Sequence, residues 1–213
     1  AFMIRTKHQK SYIGGILFVC FLLLTGCETT YELGEIRDTT LAITEQGEVT
    51  YYLIEDFDKD YYDILELSSM ANEEVRAYNE QLGRVGTQEQ PVQVLYVEKL
   101  SSNSKKALIC YQFLEANLYE NFTGQELFFG TVAQAIAQGY DLNKTLIDLK
   151  HDDRVLSGTQ LQTMTEWKLI IAQGDAPIFP PAKVRYISVG AIMGDDHLVK
   201  PPLDDQYTYL LWK

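Results

Sequence analysis

Apolar and polar residues alternate in two short runs, Leu41-Ala42-Ile43-Thr44-Glu45 and Val49-Thr50-Tyr51-Tyr52-Leu53, on either side of Gln46-Gly47. Period-two alternation lays one side of a strand on the core, and Gly after a polar residue suits a tight turn. The pattern therefore predicts a hairpin. The period then changes. Leu67, Ala71, Val75, Tyr78 and Leu82 recur at steps of four, four, three and four, the stripe of one helix face over residues 63–82. Asp63 is placed to cap the start of that helix and Gly83 to end it, with Glu66, Glu73, Glu74 and Glu80 on the wet side.

A second hairpin is expected from Val92-Gln93-Val94-Leu95-Tyr96-Val97, the turn Ser101-Ser102-Asn103-Ser104, and Ala107-Leu108-Ile109-Cys110-Tyr111. Apolar residues at nearly every position imply burial on both faces, so this hairpin is expected at the centre of its sheet. A short helix over 116–122 should stop at Thr123-Gly124. Thr131 with Gln134 makes a capping box for another, closed by Gly139, with Val132, Ala135 and Ile136 facing inward.

Weak strands are expected at 146–149 and 154–156. Clearer ones are expected at 167–172, at 183–189 with Lys183, Arg185 and Ser188 wet, and at 207–212. Pro177, Pro180 and Pro181 mark an edge or a loop that cannot lie inside a sheet. Strands outnumber helices and hairpins outnumber crossovers. The expected class is α+β, a mostly antiparallel sheet with two or three helices packed on one face.

The N-terminal pattern is of another kind. Arg5, Lys7 and Lys10 precede an uncharged apolar run from Ile13 to Leu24. Met3 is the expected start of translation. A basic segment followed by a short apolar core is the layout of a secretory signal peptide. As a helix that run would span roughly 20 Å, short of the roughly 30 Å hydrocarbon core of a bilayer. It closes on Leu24-Thr25-Gly26-Cys27, which resembles the lipobox of bacterial lipoproteins. The resemblance implies that a diacylglyceryl thioether forms on the Cys27 sulfur and that the chain is cut just before it. The expected division is a signal peptide at 1–26, a lipidated tether at 27–38, and a single α+β domain at 39–213.

Residues 1–26 hold three of the 18 Lys and Arg and none of the 30 Asp and Glu. Residues 27–213 therefore carry 15 basic against 30 acidic residues, a surface that repels nucleic acid and anionic headgroups. Cys20 falls in the signal core and Cys27 at the lipidation position. Cys110 then has no intrachain partner, and buried service as a small hydrophobe is its expected role.

Several segments resemble a set of lipoproteins of clostridial-type Gram-positive bacteria. They are Val49 to Tyr52 with Glu55-Asp56-Phe57 and Tyr61-Tyr62-Asp63, then Glu74-Val75 and Tyr78-Asn79, and Phe129-Gly130-Thr131 with Ala135 and Gly139-Tyr140. Val184-Arg185-Tyr186-Ile187-Ser188 and the Tyr-rich strand before Lys213 complete the likeness. It implies an exported, membrane-tethered domain at the extracytoplasmic face, and it carries no catalytic residue with it.

Candidate chemistry is sparse. Asp56, Asp58 and Asp60 have the spacing of the first three EF-hand ligands, but Tyr61 stands where Gly is needed and Leu67 where the bidentate Glu belongs. His151-Asp152-Asp153 and Asp195-Asp196-His197 look like mirrored metal half-sites that could hold Zn²⁺ if the two loops met. There is no G-x-S-x-G, no P-loop and no G-x-G-x-x-G. The many Tyr could line a sugar- or peptide-binding groove, with Tyr61-Tyr62 and Phe128-Phe129 the pairs expected at the surface. The expected role is a non-catalytic, cofactor-free binding or interaction module of the cell envelope, held to the membrane by Cys27 and engaging an envelope protein, peptide or glycan. The alternative is an envelope hydrolase or metal-dependent enzyme using His151, His197 and nearby Asp residues.

Overall fold

Thirteen strands and four helices are described in the computed structural model, which covers residues 36–84, 90–101, 105–151, 153–203 and 206–213. The expected signal segment and tether up to residue 35, with Cys27, residues 102–104 of the second predicted turn, and Asp152 lie outside the described residues. The first hairpin forms as its alternation predicts. β1 (Thr40–Ile43) pairs antiparallel with β2 (Val49–Asp56), and Gly47 takes φ +88° in the turn between them.

Helix α1 (Ile64–Gln81) starts where Asp63 Oδ1 accepts from the backbone N–H groups of Leu65 and Glu66, at 2.6 and 3.3 Å. Those donors would otherwise lack partners in the first turn. Ala71 and Val75 of the predicted stripe are buried, whereas Leu82, past the last turn, is exposed. A polar residue joins the stripe. Buried Asn79 donates from Nδ2 to the Val92 carbonyl at 2.8 Å and accepts from the Val92 N–H at 3.3 Å. It pins the start of the next strand to the helix.

That strand, β3 (Val92–Lys99), and its partner β4 (Lys106–Phe113) correct the second expectation. β4 is interior and buried on both faces, but β3 is the edge of its sheet, and Leu95 and Tyr96 are 47% and 42% exposed. A bulge between Val94 and Tyr96 interrupts the register with β4. Only one face of β3 is covered, by α1, so its dense apolar run does not secure a central place.

After α2 (Ala116–Thr123), closed by Gly124 in the left-handed region, come β5 (Leu127–Thr131) and α3 (Val132–Gln138). The predicted Thr131–Gln134 capping box is present in both directions. Val132 and Ala135 are buried, but Ile136 is 46% exposed. It lies about 100° round the helix from Ala135, beyond what a seven-residue helix buries.

β6 (Leu146–Asp148) and β7 (Val155–Leu156) lead to α4 (Gly158–Thr163), which the apolar pattern does not predict. A second capping box, Ser157 with Gln160, starts it. β8 (Lys168–Gln173) is next, then β9 (Ile178–Phe179), β10 (Tyr186–Ser188), β11 (Ile192–Met193), β12 (Val199–Lys200) and β13 (Tyr207–Trp212).

The proline segment lies inside a sheet after all. β9 runs parallel to β1 and antiparallel to β12. The prolines flank its two residues instead of occupying them, and Pro177 still contributes its carbonyl, which accepts from the Leu41 N–H at 2.8 Å. Ser188, expected in water, is buried, and its Oγ accepts from the Tyr209 N–H at 2.8 Å.

The class is α+β and mostly antiparallel, as expected, with the strands divided between two sheets. One runs β11-β12-β9-β1-β2-β4-β3 and the other β5-β8-β13-β10-β6-β7. Alternate residues of β8 serve two cores. Ile170 and Ala172 join Leu41, Val49, Phe113 and the α1 residues Ala71 and Val75; Leu169 and Ile171 join Val132, Ala135 and Leu161 beneath α3 and α4. The second sheet is thus apolar on both sides, and the helices serve both cores. Among the described residues no helix is long and apolar enough to cross a membrane.

Candidate functional site

The sequence-predicted metal residues are not brought together. His151 sits in the turn between β6 and β7 of one sheet, where its N–H donates to the Asp148 carbonyl at 3.0 Å. His197 sits in the turn between β11 and β12 of the other, at φ +65°, with the neighbouring Asp196 Oδ1 accepting from the Leu198 N–H at 3.1 Å. Both segments are Asp-stabilised turns. Asp56, Asp58 and Asp60 are all exposed, and Asp58 pairs with Lys59. Among the described residues no group of three His, Cys, Asp or Glu side chains is placed to hold a metal ion.

Cys110 is fully buried in β4, and burial pushes its thiol up to about 11, although a hydrogen bond from Tyr96 favours the thiolate. A neutral buried thiol is a poor nucleophile. Tyr61 and Tyr62 are exposed, as expected, and meet edge to face at 5.0 Å. Phe128 is 4% exposed and belongs to the second core.

Phe128 nevertheless leads to a concave surface of described residues that carries chemistry. Strand register aligns it with Ile171 and, one strand further, with Tyr209. By the same period Glu126 and Tyr207 lie on that face, on either side of Gln173. The Glu126 backbone is fixed there, donating to Gln173 Oε1 at 3.1 Å while its carbonyl accepts from the Gln173 N–H at 2.9 Å. Across β8 the Tyr207 hydroxyl donates to Glu126 Oε2 at 2.7 Å.

Above this row stands Tyr140. Helix α3 ends in Gly139 at φ +85°, and the Tyr140 N–H folds back to the Ala135 carbonyl at 3.0 Å. That left-handed turn delivers the Tyr140 ring onto Phe128, with centroids 4.8 Å apart. Tyr209 donates its hydroxyl to the Asp141 carbonyl at 2.8 Å, tying the loop after α3 to β13.

Tyr140 divides two hollows. The first, about 350 Å³, is lined by Glu126, Asp141, Lys144, Tyr207 and Tyr209 over Ile171. The second, about 310 Å³, is lined by Glu115, Asn117 and Glu120 of the α2 region, by Gln46 and Gly47 of the first hairpin turn, and by Phe128 and Phe129. Gln138 and Tyr140 belong to both. The hairpin turn comes close because residue 47 has no side chain: a Cβ there would lie 2.7 Å from the Phe129 ring.

The electrostatics are set by this placement. Burial raises the Tyr140 phenol, and the charges of Glu120 and Glu126 raise it further. The hydrogen bond to Glu126 is the main cause that raises Tyr207, followed by burial and the same two carboxylates. Both phenols stay protonated at neutral pH, and Tyr207 donates to Glu126. The Lys144 ammonium lies 5.8 Å from the centre of the Tyr209 ring. Among the described lining residues none is His, Cys or Ser; the groove has aromatic faces, carboxylates and amides, with Tyr207 and Glu126 as its hydrogen-bonded phenol–carboxylate pair. It is equipped to bind.

A third hollow of about 360 Å³ lies between α1 and β3. Its buried polar side chain, Asn79, is already committed to the Val92 backbone.

The sequence singles out Phe128 and the abundance of Tyr, but not Glu126, Tyr140 or Tyr207 as a set. The Gly139-Tyr140 step after a capped helix is the one local sign of the site. No protein-family model, curated protein or solved structure matches the chain.

Proposed function

We propose that this chain is a lipid-anchored lipoprotein at the extracytoplasmic face of the membrane, and that its domain is a non-catalytic binding module of the envelope. The anchor rests on Leu24-Thr25-Gly26-Cys27 and the basic and apolar segments before it. Two or more acyl chains, at about 0.8 kcal/mol per buried methylene, would hold the domain firmly at the membrane.

The observation that carries the binding half is the groove around Tyr140. Glu126 and Tyr207 hold each other in place on the sheet, a fixed acceptor and donor in the wall of the hollow. Sites that only recognise need shape and fixed polar groups, which are present here.

Cells producing the full-length chain and fed an alkyne analogue of palmitate should label it, and Cys27→Ala should lose both the label and membrane retention. Label that persists in Cys27→Ala overturns the anchor. The purified chain should not turn over ester, peptide or glycoside substrates. Robust turnover that one groove substitution abolishes would replace the binding module with an enzyme.

A further inference from the structure

We propose that the groove on the two sides of Tyr140 binds an extended basic peptide segment, taking its lysyl or arginyl side chains to the carboxylates of the walls. This deepens the binding-module reading and rests on it. Charge makes the first selection. Glu115, Glu120, Glu126 and Asp141 line the groove, against Lys144 as the basic residue among the described lining residues. The fields of Glu120 and Glu126 overlap at the Tyr140 ring between the hollows. A cation entering either hollow meets attraction, whereas an anionic glycan or a nucleic acid meets repulsion.

The aromatic walls make the second. Lys144 already lies over the face of Tyr209, an ammonium of the chain's own against the kind of surface a ligand lysine would meet. The Tyr140 ring, stacked on Phe128, offers flat apolar area for the methylene stem that a lysine or arginine lays down behind its charge. The amides make the third. Gln46, Asn117 and Gln138 each have both a donor and an acceptor, the complement of a peptide backbone, which a pair of carboxylates cannot supply. Hollows of about 310 and 350 Å³ on either side of one ring suit alternate side chains of an extended segment better than a lone ion.

The probe is an acetylated octapeptide alternating Lys and Ala, titrated by calorimetry into the full-length chain in a non-ionic detergent at low salt. One-to-one saturable binding is expected, weakening as salt rises. Glu120→Gln and Glu126→Gln should each weaken it about tenfold, as loss of one charge partner does. Glu66→Gln, on the exposed side of α1, should leave it unchanged.

No binding of the octapeptide, or binding indifferent to both groove substitutions, overturns the proposal. So does spermidine binding as tightly as the octapeptide, which would make the ligand a small polyamine. If a Ser-Ala or Glu-Ala octapeptide or a neutral oligosaccharide binds instead, and Tyr140→Ala abolishes that binding, the basic-peptide inference fails and the binding module stands. If none of these probes binds in a way that depends on Tyr140, both fail.

Discussion

Tyr207 donates its hydroxyl hydrogen to Glu126 across an intervening strand, closing a 2.7 Å bond between residues 81 positions apart. The bond fixes a carboxylate at the mouth of the groove and keeps a phenol from ionising. Tyr207→Phe removes it while preserving the ring. The expected loss is about 1 kcal/mol, the net worth of one such bond, read as a lowered denaturant midpoint with an unchanged slope. The raised phenol sets the sign with pH. A group whose folded value lies above its unfolded value stabilises fully below the unfolded value, about pH 10 for Tyr, and loses that contribution above it. The gap between wild type and Tyr207→Phe should therefore narrow in thermal melts above pH 10.

Asp148 and Arg185 make the opposite case. Burial by itself would raise the Asp148 carboxyl. The Lys150 N–H, the Arg185 guanidinium 2.6 Å away and the charge of His151 outweigh it and hold the carboxyl below its usual value. The stability it supplies is present above the ordinary carboxylate range and lost as pH falls through the depressed value. Asp148→Asn should lower the melting temperature at pH 7, and the difference from wild type should shrink below about pH 4. A constant difference from pH 7 to pH 3 would show that the ion pair does not account for the loss.

Asn79 is the polar residue on the buried face of α1. Asn79→Ala removes the side-chain partner of both the N–H and the carbonyl of Val92. A cost of about 2 kcal/mol is expected. Hydrogen exchange should locate it, with faster exchange at Val92 and its β3 neighbours and little change in the second sheet.

Gly47→Ala should be costly for two separable reasons. The turn residue holds φ +88°, where an L side chain costs roughly 1–2 kcal/mol, and its Cβ would press on Phe129. Adding Phe129→Ala should relieve the second part and leave the first. A double-mutant cycle on thermal stability checks this, and strict additivity would place the Phe129 ring out of reach of residue 47.

The elements written in a local pattern are the ones the sequence predicts well. α1 has a stripe, a cap and a glycine stop, and it forms within a residue of the expected bounds. α4 buries one apolar side chain, Leu161, beside Gly158, too few to set a period, so its only sign is the Ser157–Gln160 box. β3 and β9 differ from expectation because rank in a sheet depends on neighbours supplied from elsewhere. An apolar run cannot say which of its faces will be covered, and a proline cannot say whether the residue beside it will pair.

The groove is hidden for the same reason. It exists only after β5, β8 and β13 have settled into register, aligning Phe128, Ile171 and Tyr209 and setting Glu126 opposite Gln173. The two histidine motifs, by contrast, are conspicuous in sequence because Asp and His suit tight turns. Each stays on its own turn in a different sheet.

The parallel pairing of β9 with β1 has a consequence for how the molecule is assembled in time. β1 is the first strand of the domain, yet one of its two flanking strands is drawn from residues made 137 positions later, Ile178 against Leu41. A chain emerging from its N-terminus can zip β1 to β2 and then seat β4 between β2 and β3, all antiparallel, but the flank of β1 then stands bare until Ile178 and Phe179 arrive. The second sheet draws on residues 127–212 and matures over the same late interval. The N-terminal strand of the domain is thus the first to be made and among the last to be sealed, and quality control of this domain is in effect a check on whether its final quarter was delivered.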